Sequence, residues 1–164
     1  MAIPISEKVR ERLTEIGGQL GKSQTKIKLV EPENLHITLE FLGNIKEKQL
    51  EKAKEQLREI KKEKFEIRFT HLGVFPTPSH IKVIWAGIEQ GKEDLIELHS
   101  MLSEEKYDPH VTLARVKTRP DEQLLKTLET KLDETMQVDR IHLMKSILNR
   151  QGPKYEKVFE IELD

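Results

Sequence analysis

The chain has 164 residues, 28 Lys and Arg against 29 Asp and Glu, and no cysteine, which excludes disulfides, thiolate nucleophiles and cysteine-based zinc sites. A formal net charge of −1 leaves no global basic footprint for tracking long nucleic acid, so any nucleic-acid contact is expected to be local, at a terminus or over a few nucleotides. No apolar run approaches the about 18 residues of a membrane span, and Met1-Ala2-Ile3-Pro4 lacks the basic region and apolar stretch of a secretory signal, so the expectation is a cytoplasmic chain, a monomer, with a single domain over residues 1–164.

Ser6 caps a helix running to about Leu20, with Val9, Leu13, Ile16 and Leu20 on one stripe and Gly17-Gly18 expected to stop or fray it. Lys26 to Val30 reads as a strand, Pro32 to Asn34 as a turn, and His36 to Leu42 as the next strand before the Gly43-Asn44 break. A second helix from about Lys46 to Ile60 carries Leu50, Ala53, Leu57 and Ile60 as its apolar stripe. Phe65 to Leu72 and Ile81 to Ile88 alternate as strands on either side of a Pro76 and Pro78 loop. A third helix, about Glu93 to Leu102, leads to a strand from His110 to Val116. Pro120-Asp121 opens a fourth helix to Leu132, and strands near Val138 to Leu148 and Tyr155 to Leu163 follow. This mixed order predicts an α+β fold with substantially antiparallel sheets.

The tetrapeptide His36-Ile37-Thr38-Leu39 returns as His110-Val111-Thr112-Leu113, 74 residues later. Six His, ten Thr and twenty Leu in 164 positions make about 0.04 copies of His-x-Thr-Leu expected by chance, so the repetition carries information. On a strand, side chains alternate between faces, which puts His and Thr together on one side and the apolar residues on the other. At the same offset Gln49-Leu50 falls on Gln123-Leu124, Ile67 on Ile141 and Phe69 on Leu143, so motif strand, helix and strand recur over about 36–74 and 110–148. Two such units are expected to pack as pseudo-symmetric lobes about a central cleft, with helices on the outer faces and the polar faces opposed.

Two imidazoles facing one cleft make a symmetric acid and base pair, because histidine titrates near neutrality and either ring can start protonated. In-line displacement at phosphorus needs one ring to take a proton from the attacking oxygen and the other to give one to the leaving oxygen. The threonine hydroxyls can donate to the nonbridging oxygens between them. No metal or other cofactor enters this scheme.

The residues resemble the 2H phosphoesterases and, within them, the bacterial and archaeal RNA 2′,3′-cyclic phosphodiesterases, also called 2′-5′ RNA ligases. The likeness covers His-Ile-Thr-Leu-Glu-Phe-Leu-Gly at 36–43, Val74-Phe75-Pro76 before a strand with Trp85, Pro109-His110-Val111-Thr112-Leu113-Ala114-Arg115-Val116, and Gly152-Pro153-Lys154-Tyr155. The resemblance implies a bilobal α+β fold, hydrolysis of 2′,3′-cyclic phosphate ends of RNA to 2′-phosphates, and a weak ATP-independent joining of RNA ends through a 2′-5′ linkage. It implies His36 and His110 as the catalytic pair, Thr38 and Thr112 as phosphate ligands, and Arg115 as a further phosphate ligand. Phe41, at the place of Arg115 in the first copy, would stack on a base or ribose, and Tyr155 is a candidate either for substrate contact or for anchoring the last strand. Strict alternation turns Phe41 and Arg115 away from the cleft, so their role requires a strand end or bend. Compared with the family pattern, Ala2-Ile3 before Pro4 leaves a short first strand and an incomplete sheet edge, and Ser103 to Pro109 is a short approach to the second motif, reaching at most about 25 Å.

Other readings compete. An isolated histidine on a strand is more often a surface residue, and a His/His metal site with Glu40 is conceivable although no third ligand repeats. His71, His80, His99 and His142 lack the motif and read as surface or structural residues, and Trp85 as core. Lys28, Arg68, Lys145, Arg150 and Lys154 are candidates for the cleft mouth that the sequence does not place. A phosphodiesterase for another small cyclic phosphate, such as a cyclic ADP-ribose phosphate, and a noncatalytic RNA- or nucleotide-binding module remain as alternative functions.

Overall fold

Nine strands form one curled antiparallel sheet in the computed structural model, which describes residues 1–164. In chain order the elements are β1 (Ala2–Pro4), α1 (Glu7–Leu20), β2 (Ile27–Leu29), a 3₁₀ turn (Pro32–Asn34), β3 (His36–Thr38), α2 (Glu47–Arg58), β4 (Phe65–Thr77), β5 (His80–Ile88) and α3 (Lys92–Ser100). β6 (His110–Val116), α4 (Glu122–Thr127), β7 (Lys131–Val138), β8 (Arg140–Asn149) and β9 (Gly152–Glu162) follow. The strand order is β7-β4-β5-β6-β3-β1-β8-β9. β6 shares one edge between β3 at its start and β2 at its end. The architecture is α+β, as the order of predicted elements requires, and no helix is long and apolar enough to cross a membrane.

The two motif strands meet at the centre of this sheet, where Ile37 pairs with Val111. Both side chains are completely buried, and each contributes roughly 1.5–3 kcal/mol relative to exposure. They sit in a core of 32 buried apolar residues that runs through both halves of the sheet. β4 follows α2 yet pairs with β5 and β7 beside β6, and β8 joins β1 and β9 beside β3. The strand that closes each copy of the sequence repeat therefore lies in the half-sheet of the other copy's motif. α1 packs on β6, β7 and α4, whereas α2 lies on β9, where the Arg58 guanidinium sits 4.8 Å from the Phe159 ring centroid.

Several elements differ from the sequence reading. Gly17 and Gly18 do not end α1, which continues to Leu20 and closes with a Gly21 N–H bond to the Gly17 carbonyl at 2.9 Å. Buried Ile16 and Leu20 outweigh the about 1 kcal/mol that each interior glycine costs. β1 is no incomplete edge, since it pairs with β3 on one side and β8 on the other and buries Ile3. β3 stops at Thr38 instead of reaching Leu42, because the Leu39 and Glu40 N–H groups both turn to the Met1 carbonyl. β4 runs through Pro76 to Thr77, so the expected proline loop is the end of a hairpin arm. The fourth helix ends at Thr127, and Lys131 and Leu132, expected at its end, open β7, a strand that the sequence reading did not assign. Leu124, Leu128 and Leu132 have helical spacing, but Leu132, Met136 and Val138 are buried at a period of two, and pairing of Ile67 with Met136 and Phe65 with Val138 selects the strand.

The short stretch from Ser103 to Pro109 is tied down by a buried histidine. His99 Nδ1 lies 2.8 Å from the Leu39 carbonyl and Nε2 lies 3.0 Å from the Glu105 carbonyl. Its ring stacks on Tyr107 at 4.3 Å, and the Tyr107 hydroxyl donates to the Thr38 carbonyl at 2.9 Å. This cluster links the end of the first motif to the approach to the second. The Tyr107→Phe variant is expected to lose about 1 kcal/mol of unfolding free energy in urea titration; an unchanged midpoint and slope would show that the hydroxyl does not hold the segment.

Candidate active site

A cleft of about 790 Å³ opens on the polar face of the two motif strands. His36, Thr38, Phe41, His110, Thr112, Arg115 and Tyr155 all line it, so the fold brings together the seven residues to which the sequence analysis gave catalytic, phosphate-binding or substrate-binding roles. The register explains the first four. With Ile37 opposite Val111, continuing the antiparallel ladder by one residue sets His36 across from Thr112 and Thr38 across from His110. The two histidines are then diagonal neighbours with Cβ atoms about 7–8 Å apart, a separation that two imidazoles can bridge through one phosphate.

Arg115 reaches the same cleft because β6 carries a bulge. Ile84 pairs with Ala114 and Trp85 with Thr112, which leaves Leu113 as the extra residue. Leu113 and Ala114 are both buried, so the alternation slips by one and Arg115 returns to the face of His110 and Thr112. In the first copy the equivalent position lies beyond the end of β3, and Phe41 projects into the cleft at 83% exposure. A strand end and a bend, required by the sequence argument, are both present.

The two imidazoles are held alike. His36 Nδ1 lies 2.6 Å from the Asn34 carbonyl and His110 Nδ1 lies 2.7 Å from the Asp108 carbonyl. A carbonyl only accepts, so each Nδ1 carries the proton and each neutral ring presents a free Nε2. Thr38 Oγ1 is 3.1 Å from His36 Nε2, at a distance where the hydroxyl donates to it. Burial pushes the His36 pKa below the usual histidine value, with the bond to Asn34 opposing the shift. Asn34 and Asp108 are themselves 74 positions apart. The repeat therefore extends two residues upstream of the tetrapeptide, a signal in the offset comparison that the sequence reading did not use.

Aromatic rings back both histidines. Tyr155 meets His36 edge-on at 5.1 Å, and Phe75 meets His110 edge-on at 5.1 Å. Trp85 is not core. It is half-buried, 5.9 Å from the His110 ring, and it lies so close over Gly73 that a Cβ there would fall 2.2 Å from the indole. Of the lysines and arginines proposed for the mouth, Lys28 and Lys154 line the cleft, while Arg68 pairs with Asp133 and Lys145 and Arg150 lie outside the lining. His99 is the structural residue described above, and His142 pairs with Glu160 at 2.7 Å. No group of three or more His, Asp or Glu side chains is clustered for metal ligation.

The LigT-like phosphoesterase family model matches residues 3–85 and 87–155. A protein of Methanocaldococcus jannaschii named RNA 2′,3′-cyclic phosphodiesterase is 35% identical over 173 residues, covering 98% of this chain and 97% of that protein. One of the same name from Aeropyrum pernix is 33% identical over 166 residues, covering 92% and 94%. Among solved structures, TT0787 of Thermus thermophilus has a TM-score of 0.84 at 25% identity, over 98% of this chain and 94% of that one. E. coli LigT complexed with 3′-AMP shares the fold with a TM-score of 0.83 at 22% identity, over 99% and 95%. With duplicated motifs facing one cleft and the family match extending over most of its length, the chain belongs to the LigT-like phosphoesterase family.

Proposed function

We propose that the chain is an RNA 2′,3′-cyclic phosphodiesterase that forms 2′-phosphate ends without a metal ion, acting as a single cytoplasmic chain on RNA termini. The observation that carries this reading is the matched pair of imidazoles, each fixed through Nδ1 by the carbonyl two residues earlier, on strands that pair at Ile37 and Val111. The names of the relatives supply the substrate class. One bilobal unit, with the repeats at 36–74 and 110–148 contributing a motif each, is enough to complete the cleft.

Water attacks phosphorus as the bond to O3′ breaks. His36, whose burial favours the neutral ring, takes the proton from the attacking water at Nε2. His110 in its cationic form gives a proton to O3′ on the opposite side, leaving a 3′-hydroxyl and a 2′-phosphate. Thr112 and Arg115 donate to the nonbridging oxygens, where negative charge builds up, and Thr38 joins them as its hydroxyl turns from His36 Nε2, which frees that nitrogen for the proton of the water. Phe41 stacks on the terminal base or ribose, and Tyr155 holds the His36 side of the cleft. An RNA 5′-hydroxyl in place of water joins two ends through a 2′-5′ linkage with the same proton transfers and no ATP.

His36→Ala and His110→Ala are each expected to lower kcat by about 10²–10⁴ while retaining affinity for the 2′-phosphate product; full activity in either variant would remove that histidine from the mechanism. Turnover in excess EDTA is expected to match turnover without it, and loss of activity restored by a divalent cation would refute the metal-independent scheme. Protonation blocks His36 as a base, and its lowered pKa means that the proton binds only at lower pH. The acid limb of kcat/KM is therefore expected below the ordinary histidine value of about 6.5, and a midpoint above it would argue against His36 as the base.

A further inference from the structure

Arg115 has a cationic neighbour on the adjoining strand. β2 pairs with β6 so that Lys28 stands opposite Arg115, and side chains opposite each other in an antiparallel pair share a face with Cβ atoms about 5 Å apart. Lys28 therefore shares the face of Arg115 and lines the cleft beside it. Its ammonium reaches the tip of the β8–β9 hairpin, lying 3.6 Å from where a Cβ on Gly152 would sit. Lys154, two residues further on, lines the same end of the cleft.

This end is a held surface. Asn34 Nδ2 donates to the Pro153 carbonyl at 2.9 Å, fastening the hairpin tip to the turn before the first motif. Asn149 Oδ1 accepts from the Gln151 and Gly152 N–H groups and sets the shape of the tip. Glu31 and Glu33 also line the cleft, yet neither forms an ion pair with Lys28, Arg115 or Lys154. Two ammonium groups thus remain unneutralised beside the group that meets the reacting phosphate. An ammonium is a compact point charge that accepts an anion from many directions, which suits a flexible phosphodiester better than a planar carboxylate.

We propose that Lys28 and Lys154 form a second phosphate subsite that takes the phosphodiester one nucleotide upstream of the reacting cyclic phosphate. The proposal rests on the RNA-terminus reading above and makes the enzyme prefer an oligonucleotide end to a free cyclic mononucleotide. The two glutamates keep the attraction local, in agreement with a net charge of −1, so one additional phosphate is held and not a long track.

The test compares Lys28→Ala, Lys154→Ala and a control on the exposed face of α2, Lys48→Ala, on a 2′,3′-cyclic mononucleotide and on a dinucleotide with the same cyclic end. Each cleft variant is expected to lower the dinucleotide-to-mononucleotide ratio of kcat/KM by about tenfold, mainly through KM. Each is also expected to reduce the salt slope of dinucleotide kcat/KM by about 0.7, with Lys28→Arg restoring both and Lys48→Ala changing neither. Equal losses on the two substrates, or an unchanged ratio and slope, overturn the subsite. Titration calorimetry with the mononucleotide and dinucleotide 2′-phosphates reads the same preference without turnover. Should the wild-type chain hydrolyse neither substrate, the proposed activity falls, and the binding ratio alone upholds or overturns the subsite.

Discussion

The pairing of Ile37 with Val111 is the constraint on which the rest depends. It is the only ladder pair between β3 and β6, and it joins the two halves of the sheet at the midpoint of both His-x-Thr motifs. Because side chains alternate, burying these two residues obliges the four flanking polar ones to emerge together on the opposite face. The same hydrophobic contact that closes the core therefore opposes the imidazoles, and fold stability and site geometry have one cause. A one-residue slip would bury the histidines and expose the isoleucine and valine, so the register is strongly specified.

Beyond the four shared residues, the two motifs are built differently. After Thr112 the second strand continues through the Leu113 bulge, which returns Arg115 to the cleft, whereas the first strand stops at Thr38 and lets Phe41 stand free in it. One half thus offers a guanidinium and the other an aromatic ring at the same offset from the histidine. That asymmetry suits a terminus with a phosphate on one side and a base on the other. The cations and the hairpin tip extend the cleft beyond Arg115, and the Asn34 bond to Pro153 couples that extension to the turn that fixes His36.

Where local pattern misled, a tertiary partner had won. The spacing of Leu124, Leu128 and Leu132 suits a helix, but β4 offered an unpaired edge, and Leu132, Met136 and Val138 answer to it as a strand. The glycines of α1 are poor helix formers, yet the buried stripe on either side of them holds the helix to Leu20. Pro76 suggested a loop because proline cannot donate to a ladder, although it is tolerated near the end of a hairpin arm where a register shift already interrupts the pairing. Trp85, taken as core from its alternating strand, lies half-buried over Gly73 beside His110.

The sequence by itself determined the α+β class, seven of the residues that line the cleft, and the resemblance to the family. The class and the quartet His36, Thr38, His110 and Thr112 rest on local periodicity and on a repeat that survives sliding the chain against itself, whereas Phe41, Arg115, Tyr155 and the family rest on the resemblance of the motifs. Only the tertiary structure decided that β1 is interior, that β4 and β8 exchange halves, that the bulge aims Arg115, and that Lys28 and Lys154, among five candidate cations, reach the cleft. Each of these is a question of which strand edge meets which other edge at which register. That choice is set by long-range pairing and burial across the whole sheet, and no window of neighbouring residues contains it.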